Sequence, residues 1–314
     1  FKLFNLGIHL FNGILVFILS KMLISQLTYN KNEKIVFSLL LTFIWLIHTM
    51  QVSTVLYAVQ RMTLLASTFT LLGIVLYIKG RKLLQSNKVN EGFAYMSFAV
   101  AGGTCLAILA KESGILLPLY ILVIEIIFSP VLFKQKSYRI WAWAFLIFPL
   151  VALMMYLASS LGDTLSGYQT RTYSVDNRLF SQPIVLVQYL TNLIIPNPSD
   201  FALFHDDFPV SSGLLSPPKT LISILIITCL LITGFVYRNK FTLFSFAVFW
   251  FFAGHSLEAS HVNLELYFEH RNYLPSIATS AVIASLAIYC YRRFSRSASI
   301  IFMSGYLVLV TLIT

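Results

Sequence analysis

Apolar runs of about 17–20 residues, each long enough to cross roughly 30 Å of hydrocarbon as a helix, recur along the whole chain. Backbone groups in lipid must bond internally, so these runs are predicted to be helices. The pattern predicts an all-α fold, a polytopic transmembrane bundle of about ten spans in one domain of residues 1–314. The predicted helices cover residues 4–23, 35–55, 62–78, 93–110, 114–128, 140–158, 218–237, 241–257, 273–291 and 298–314.

Composition supports a membrane class over a soluble one. The 314 residues are 58% hydrophobic and 11% charged, with a mean hydropathy of +0.80, whereas soluble domains carry about 25% charged residues. Cys105, Cys229 and Cys290 all lie in apolar runs, which argues against a disulfide framework or a thiolate metal site. Because the sequence starts at Phe1 and ends inside an apolar run, we expect it to be a piece of a longer protein.

Charge divides the loops into two unequal sets. Alternate loops carry 15 of the 22 Lys and Arg residues, and the positive-inside rule makes that side cytoplasmic. Nine of the twelve acidic residues fall on the opposite side. No glycine-rich nucleotide-phosphate motif occurs, and in a membrane protein the net charge of +10 indicates contact with anionic lipid, not nucleic acid.

One long connection, residues 159–217, is predicted on the outer side. Within it, residues 179–195 are apolar but contain Gln182, Pro183 and Asn192. If this segment crossed the membrane, the basic cluster at 292–296 would move outside. We therefore expect an interfacial or re-entrant helix in a long extracytoplasmic loop, and long loops are often functional.

Polar residues at three predicted outer helix ends are candidates for anion chemistry. Arg61 follows His48 and Gln51, Lys111 begins a tight turn with Glu112, and Arg271 lies in a dense polar run. Arg forms bidentate bonds to phosphate and Lys acts as a point charge. A snorkelling Arg, a solvated turn and a capped helix start are the structural alternatives. We expect Arg61, Lys111 and Arg271 to converge on one phosphate at the membrane surface.

Other polar residues have several interpretations. His255, Glu258 and His261 are three apart, but the HExxH spacing is absent, so a metal site is only weakly indicated. The adjacent carboxylates Asp206 and Asp207 suit a base, a metal-ligand pair or a plain turn. The sequence requires no cofactor, and binding of a divalent metal is left as an open alternative.

Several stretches together resemble one family. They are His48–Met62, Ala110–Gly114, Phe204–Val210 and Leu264–Ser276, the last containing the most specific run, Glu-His-Arg-Asn-Tyr-Leu-Pro. Over about residues 1–280 the chain resembles bacterial GT-C-superfamily membrane proteins related to protein O-mannosyltransferases and tetratricopeptide-bearing O-mannosyltransferases.

The resemblance implies a glycosyltransferase of the bacterial inner membrane, with its active site facing the periplasm or exterior. Its partners would be a polyprenyl-phosphate sugar donor, a protein or glycan acceptor, and membrane lipids. The family's main catalytic carboxylate would lie upstream of Phe1. The roles implied here are phosphate binding by Arg61, Lys111 and Arg271; catalysis by Glu269, His270, His48 and Glu258; and substrate orientation by Gln51, Glu112, Tyr273 and Asp206.

Two other functions remain open on the sequence. An O-antigen ligase or polymerase is also polytopic with a long outer loop, and an arginine-rich loop would favour it; this loop has only Arg171 and Arg178. A transporter or flippase of lipid-linked sugars would place charges near mid-membrane and often show repeated halves. The charges here are predicted at the outer boundary.

Overall fold

The computed structural model describes residues 1–197, 200–201 and 208–313. About 80% of the chain is helical, and no strand occurs in the part described, which confirms the all-α prediction. The α-helices, in chain order, are α1 Lys2–Ile24, α2 Lys31–Ile47, α3 Val52–Leu56, α4 Arg61–Gln85, α5 Val89–Ala110, α6 Leu117–Phe128, α7 Lys136–Ala142, α8 Phe148–Ser159, α9 Leu161–Gly167, α10 Val175–Ile194, α11 Lys219–Val236, α12 Thr242–His255, α13 Ile277–Arg293 and α14 Arg296–Ile313.

Five helical segments within the described ranges are long and apolar enough to cross a membrane. They are α1, the stretch 58–85 that contains α4, α5, the stretch 136–159 from α7 to α8, and α11. The bent pair α2 and α3 makes a sixth if it counts as one span. The other predicted spans are also helical, but they do not meet this length and hydropathy test. Large apolar side chains such as Phe98, Leu109 and Trp143 are exposed, which is compatible with lipid contact.

The predicted continuous helix 35–55 is wrong at one point, because the chain breaks at His48. Helix α2 ends at Ile47, His48 is extended, and the helical stretch Thr49–Leu56, which contains α3, lies at an angle of 55° to α2. The His48 ring explains the break, since Nδ1 accepts the Met50 amide at 3.2 Å and Nε2 lies 3.1 Å from the Leu193 carbonyl oxygen. In a continuous helix the Met50 amide would have donated to a backbone carbonyl four residues earlier, whereas here it donates to the His48 ring.

Helices α4 and α5 pack closely against each other. A Cβ atom built on Gly103 of α5 would lie 3.1 Å from the Cα of Gly73 on α4. Small residues allow this approach, as is usual for helices that pack within a membrane. The α4–α5 hairpin fixes the relative positions of Arg61 and Lys111, at the start of one helix and just after the other.

The two ends of the bundle carry different polar groups. At one end, here called the site end, Lys111 and Arg271 both contact Glu258. At the other end, here called the basic end, Arg292 contacts Glu33 and Arg81 contacts Glu125. The motifs singled out in the sequence therefore lie apart from most of the basic loops.

In its described residues, the long connection 159–217 contains the α-helices α9 and α10. Ser174 caps α10 by accepting the Asn177 amide at 3.2 Å. The predicted helix at 179–195 is thus present and starts one turn earlier. Its interfacial placement stays a prediction. Asp206 lies outside the described residues.

Candidate functional site

A cavity of about 990 Å³ lies at the site end of the bundle. One wall is apolar and comes from α4, α5, α8 and the turns beside them. The other wall is polar and comes mainly from the turn after α5 and the segment between α12 and α13. The apolar wall includes Val59, Met62, Ile108, Ile115, Leu153 and Leu157, and the polar wall includes Lys111, Glu112, Arg171, Glu258, Glu265, Glu269, His270 and Arg271.

The centre of the polar wall is a carboxylate shared by two cations. Lys111 Nζ lies 3.1 Å from Glu258 Oε1, and Arg271 Nε lies 3.3 Å from Glu258 Oε2. Burial alone would raise the pKa of Glu258, but the charges of Lys111 and Arg271 outweigh it and lower that pKa to about 2. Two cations against one carboxylate leave this cluster with a net positive charge, which favours binding of an anion.

Arg271 is held rigidly in this cluster. Its Nη1 donates to the Leu266 carbonyl oxygen at 3.0 Å and its Nη2 to the Glu265 carbonyl oxygen at 2.7 Å. These bonds fix the plane of the guanidinium while Nε faces Glu258. Arg271 therefore shapes the segment around it as well as contributing positive charge.

The imidazole of His270 lines the same wall. Burial, reinforced by the positive charge of Lys111, lowers the pKa of His270 to about 3. The ring is therefore neutral at pH 7 and suits hydrogen bonding better than proton abstraction. Glu269 is buried and Glu112 is exposed, and both also line the cavity.

Sequence reasoning missed Arg178, which organises the backbone behind the polar wall. This buried guanidinium on α10 donates to four carbonyl oxygens: Glu258 at 2.6 Å, Ser260 at 3.0 Å, Glu265 at 3.2 Å and Leu264. A planar group with five donors is suited to collecting several carbonyls. The sequence does carry a signal, because several polar residues share the buried face of α10 with apolar ones. The polar residues are Arg178, Ser181, Gln182 and Asn192.

The rest of the 168–194 region also clamps the segment that follows α12. Tyr168 Oη donates to the His261 carbonyl at 3.0 Å, and Tyr173 Oη donates to the Leu264 carbonyl at 3.0 Å. Arg171 pairs with the Glu265 carboxylate at the cavity. The long connection is thus part of the site's framework.

Arg61 has partners away from the shared carboxylate. Its Nε donates to Asn5 Oδ1 at 3.2 Å, and its guanidinium lies 5.4 Å and 5.0 Å from the ring centroids of Phe1 and Phe4. Its neighbours Gln60 and Met62 line the cavity, but Arg61 is not among the described lining residues. The structure therefore brings together two of the three cations expected to converge.

Three other predicted site residues face the interior of the bundle. His48 holds the break after α2, and Gln51 Nε2 donates to Ser276 Oγ at 2.9 Å. Tyr273 Oη lies 2.8 Å from His9 Nδ1 and 3.2 Å from Asn12 Nδ2, which donates to it. Their observed bonds support helix packing near the site.

Fold and site together define an all-helical chain compatible with a multi-pass membrane protein, with an amphiphilic cavity at one end whose polar wall contains the net-positive cluster of Lys111, Glu258 and Arg271. Within the described ranges, no group of three His, Cys, Asp or Glu side chains is placed to hold a metal ion.

Comparison with protein-family models, with curated proteins and with solved structures finds no match for this chain. The GT-C resemblance therefore stays a prediction.

Proposed function

We propose that this chain is a membrane glycosyltransferase with a GT-C-like fold of about ten spans. It binds a polyprenyl-phosphate-linked sugar in the site-end cavity and transfers the sugar to a protein or glycan on the extracytoplasmic face of a bacterial inner membrane. The observation that carries the proposal is the amphiphilic cavity, whose apolar wall faces a buried cluster of Lys111, Glu258 and Arg271.

The cavity suits both parts of such a donor. Its volume of about 990 Å³ is at the upper end for small-molecule sites, and its apolar wall can bury the first isoprene units of a polyprenyl chain. The ammonium of Lys111 can donate to a phosphate oxygen, and such charge-assisted bonds are stronger than neutral ones. In glycosyl transfer the phosphate leaves with growing negative charge, which preorganised cations stabilise.

The ionisable residues of the polar wall differ in how well they could serve as a base. Glu258 is committed to two cations and its pKa is about 2, so it is a poor base at pH 7. His270, with a pKa of about 3, is a weak base as well. Glu269 remains as the buried lining carboxylate best placed to orient the sugar or the acceptor hydroxyl.

Lys111 provides the cleanest test, because replacing Arg271 would also release two backbone carbonyls. The purified protein is reconstituted in proteoliposomes with a radiolabelled polyprenyl-phosphate sugar. We expect K111M to weaken binding about tenfold to a hundredfold, the loss of one charge-assisted hydrogen bond, and K111R to recover part of it. K88M, which removes an exposed lysine, is the matched control.

Unchanged binding and transfer by K111M would overturn the proposal. Movement of the labelled lipid across the bilayer without sugar transfer would replace it with the flippase alternative.

A further inference from the structure

A second groove, of about 650 Å³, lies at the basic end between α2, α13 and α14. It shares no lining residue with the site-end cavity. Polar residues at the start of α2 and α14 form its mouth, and apolar residues of α2, α13 and α14 form its walls.

The mouth of the groove carries uncompensated positive charge. Lys31 and Arg296 both line it, both are exposed, and neither is ion-paired with any residue in the described ranges. Glu33 also lines the mouth, but Arg292 neutralises it through contacts of 2.7 Å and 2.6 Å to its two carboxylate oxygens. The carboxylate therefore does not cancel the charges of Lys31 and Arg296.

Backbone donors face the same mouth. Helix α2 begins with a capping box in which Asn30 Oδ1 accepts the Glu33 amide at 2.9 Å. The amides of Lys31 and Asn32, in the first turn, have no acceptor among residues 1–197, 200–201 and 208–313. Free amides at a helix start add to the two side-chain cations as anion-binding groups.

Below the mouth, the groove becomes apolar. Its walls are Val36, Leu40, Ile288, Ile300, Met303 and Leu307. From Lys31 to Leu40 the groove follows nine residue steps of α2, about 14 Å along the helix axis. This depth is close to half of a 30 Å hydrocarbon core, the thickness of one leaflet.

We propose that this groove binds one anionic phospholipid from the leaflet at the basic end of the bundle. The phosphate lies against Lys31, Arg296 and the first amides of α2, and an acyl chain runs down the cleft between α2 and α14. Charge complementarity selects an anionic headgroup, and the apolar walls select a lipid over a free phosphate. The site is independent of the proposed sugar transfer.

Native mass spectrometry of the delipidated full chain tests the proposal by titration with dioleoyl-phosphatidylglycerol. Matched titrations use dioleoyl-phosphatidylcholine and inorganic phosphate. We expect the double variant K31Q/R296Q to bind phosphatidylglycerol about thirtyfold more weakly, since Lys31 and Arg296 are expected to contribute about equally to the affinity for an anionic headgroup. K136Q/R139Q removes two exposed charges on α7 outside the groove and is expected to bind like the wild type. S304W fills the cleft without changing charge and is also expected to weaken binding.

Three results would overturn the proposal. Equal losses in K31Q/R296Q and K136Q/R139Q would show general surface attraction, not a groove. Unchanged binding by S304W would exclude the apolar cleft. Equal occupancy by inorganic phosphate or by phosphatidylcholine would remove the selectivity that defines the site. Circular dichroism of each variant verifies that the helices are retained.

Discussion

The ion pair between Lys111 and Glu258 is expected to couple much more strongly than an exposed pair elsewhere in the chain. Its side chains are 11% and 9% exposed, and its charged atoms are 3.1 Å apart. An effective dielectric constant of about 20 gives a gross attraction of about 5 kcal/mol at this distance. Desolvation of both groups offsets part of it, so we expect a coupling energy of about 2–3 kcal/mol. The comparison pair is Lys88 and Glu91, at 3.3 Å with 57% and 61% exposure.

Double-mutant cycles measure this difference directly. One cycle uses K111M, E258Q and their combination, and the other uses K88M, E91Q and theirs. Equilibrium unfolding of the purified protein in mixed micelles gives the free energy of unfolding for each variant. The exposed cycle is expected to yield at most about 0.5 kcal/mol. A coupling below about 0.5 kcal/mol for the buried cycle would refute the shared-carboxylate cluster as an energetic unit.

Three further predictions concern the framework of the site. Arg178→Lys is expected to lower the free energy of unfolding by about 3 kcal/mol and to make residues 258–265 sensitive to limited proteolysis, because an ammonium cannot hold four carbonyls in one plane. Between pH 6.5 and about 3, His270 is expected to contribute up to about 1.4 kcal/mol of destabilisation per unit of falling pH, since unfolded His270 binds a proton that the folded site, with its pKa of about 3, does not. His270→Asn should make the slope of pH-dependent unfolding less steep by that contribution. Gly114→Ala is expected to cost about 2 kcal/mol in thermal unfolding, because the new Cβ would lie 2.4 Å from the Ala107 carbonyl carbon, whereas Gly162→Ala, with open space around it, should be neutral.

The helices could be predicted because apolar run length is a local property of the sequence. The break at His48 could not, since it depends on a carbonyl of Leu193 at the far end of α10. A histidine inside an apolar run is compatible with a continuous helix until a distant acceptor is known. The interior position of Gln51 could not be predicted for the same reason, because its hydrogen-bond partner Ser276 is 225 residues away.

The candidate site could be predicted in part. The sequence predicts that Lys111 and Arg271 meet, because both lie at helix ends predicted on the same side of the membrane, and the structure joins them through Glu258. Arg61 also begins a helix, but its guanidinium lies beside aromatic rings and an amide of α1. Position at a helix end sets the depth of a side chain along the bundle, while its direction around the helix axis depends on the neighbouring helices. The sequence pattern therefore predicts the depth of a side chain well and its direction around the helix axis only weakly.

The polar face of α10 extends this argument to the assembly of the site. Arg178 holds carbonyls of the segment that contains Glu258, while Tyr189 of the same helix both donates to the Phe268 carbonyl at 2.9 Å and accepts its amide at 2.8 Å. Glu258 and Arg271 lie near opposite ends of that segment, so α10 fixes the spacing between the carboxylate and one of its two cations. An apolar helix in its place would leave those backbone groups without partners, at a cost of about 1–3 kcal/mol each when buried. The cluster at the cavity therefore depends on the long connection. This is why its charged residues could be found by motif, whereas the part that α10 plays in arranging them could not.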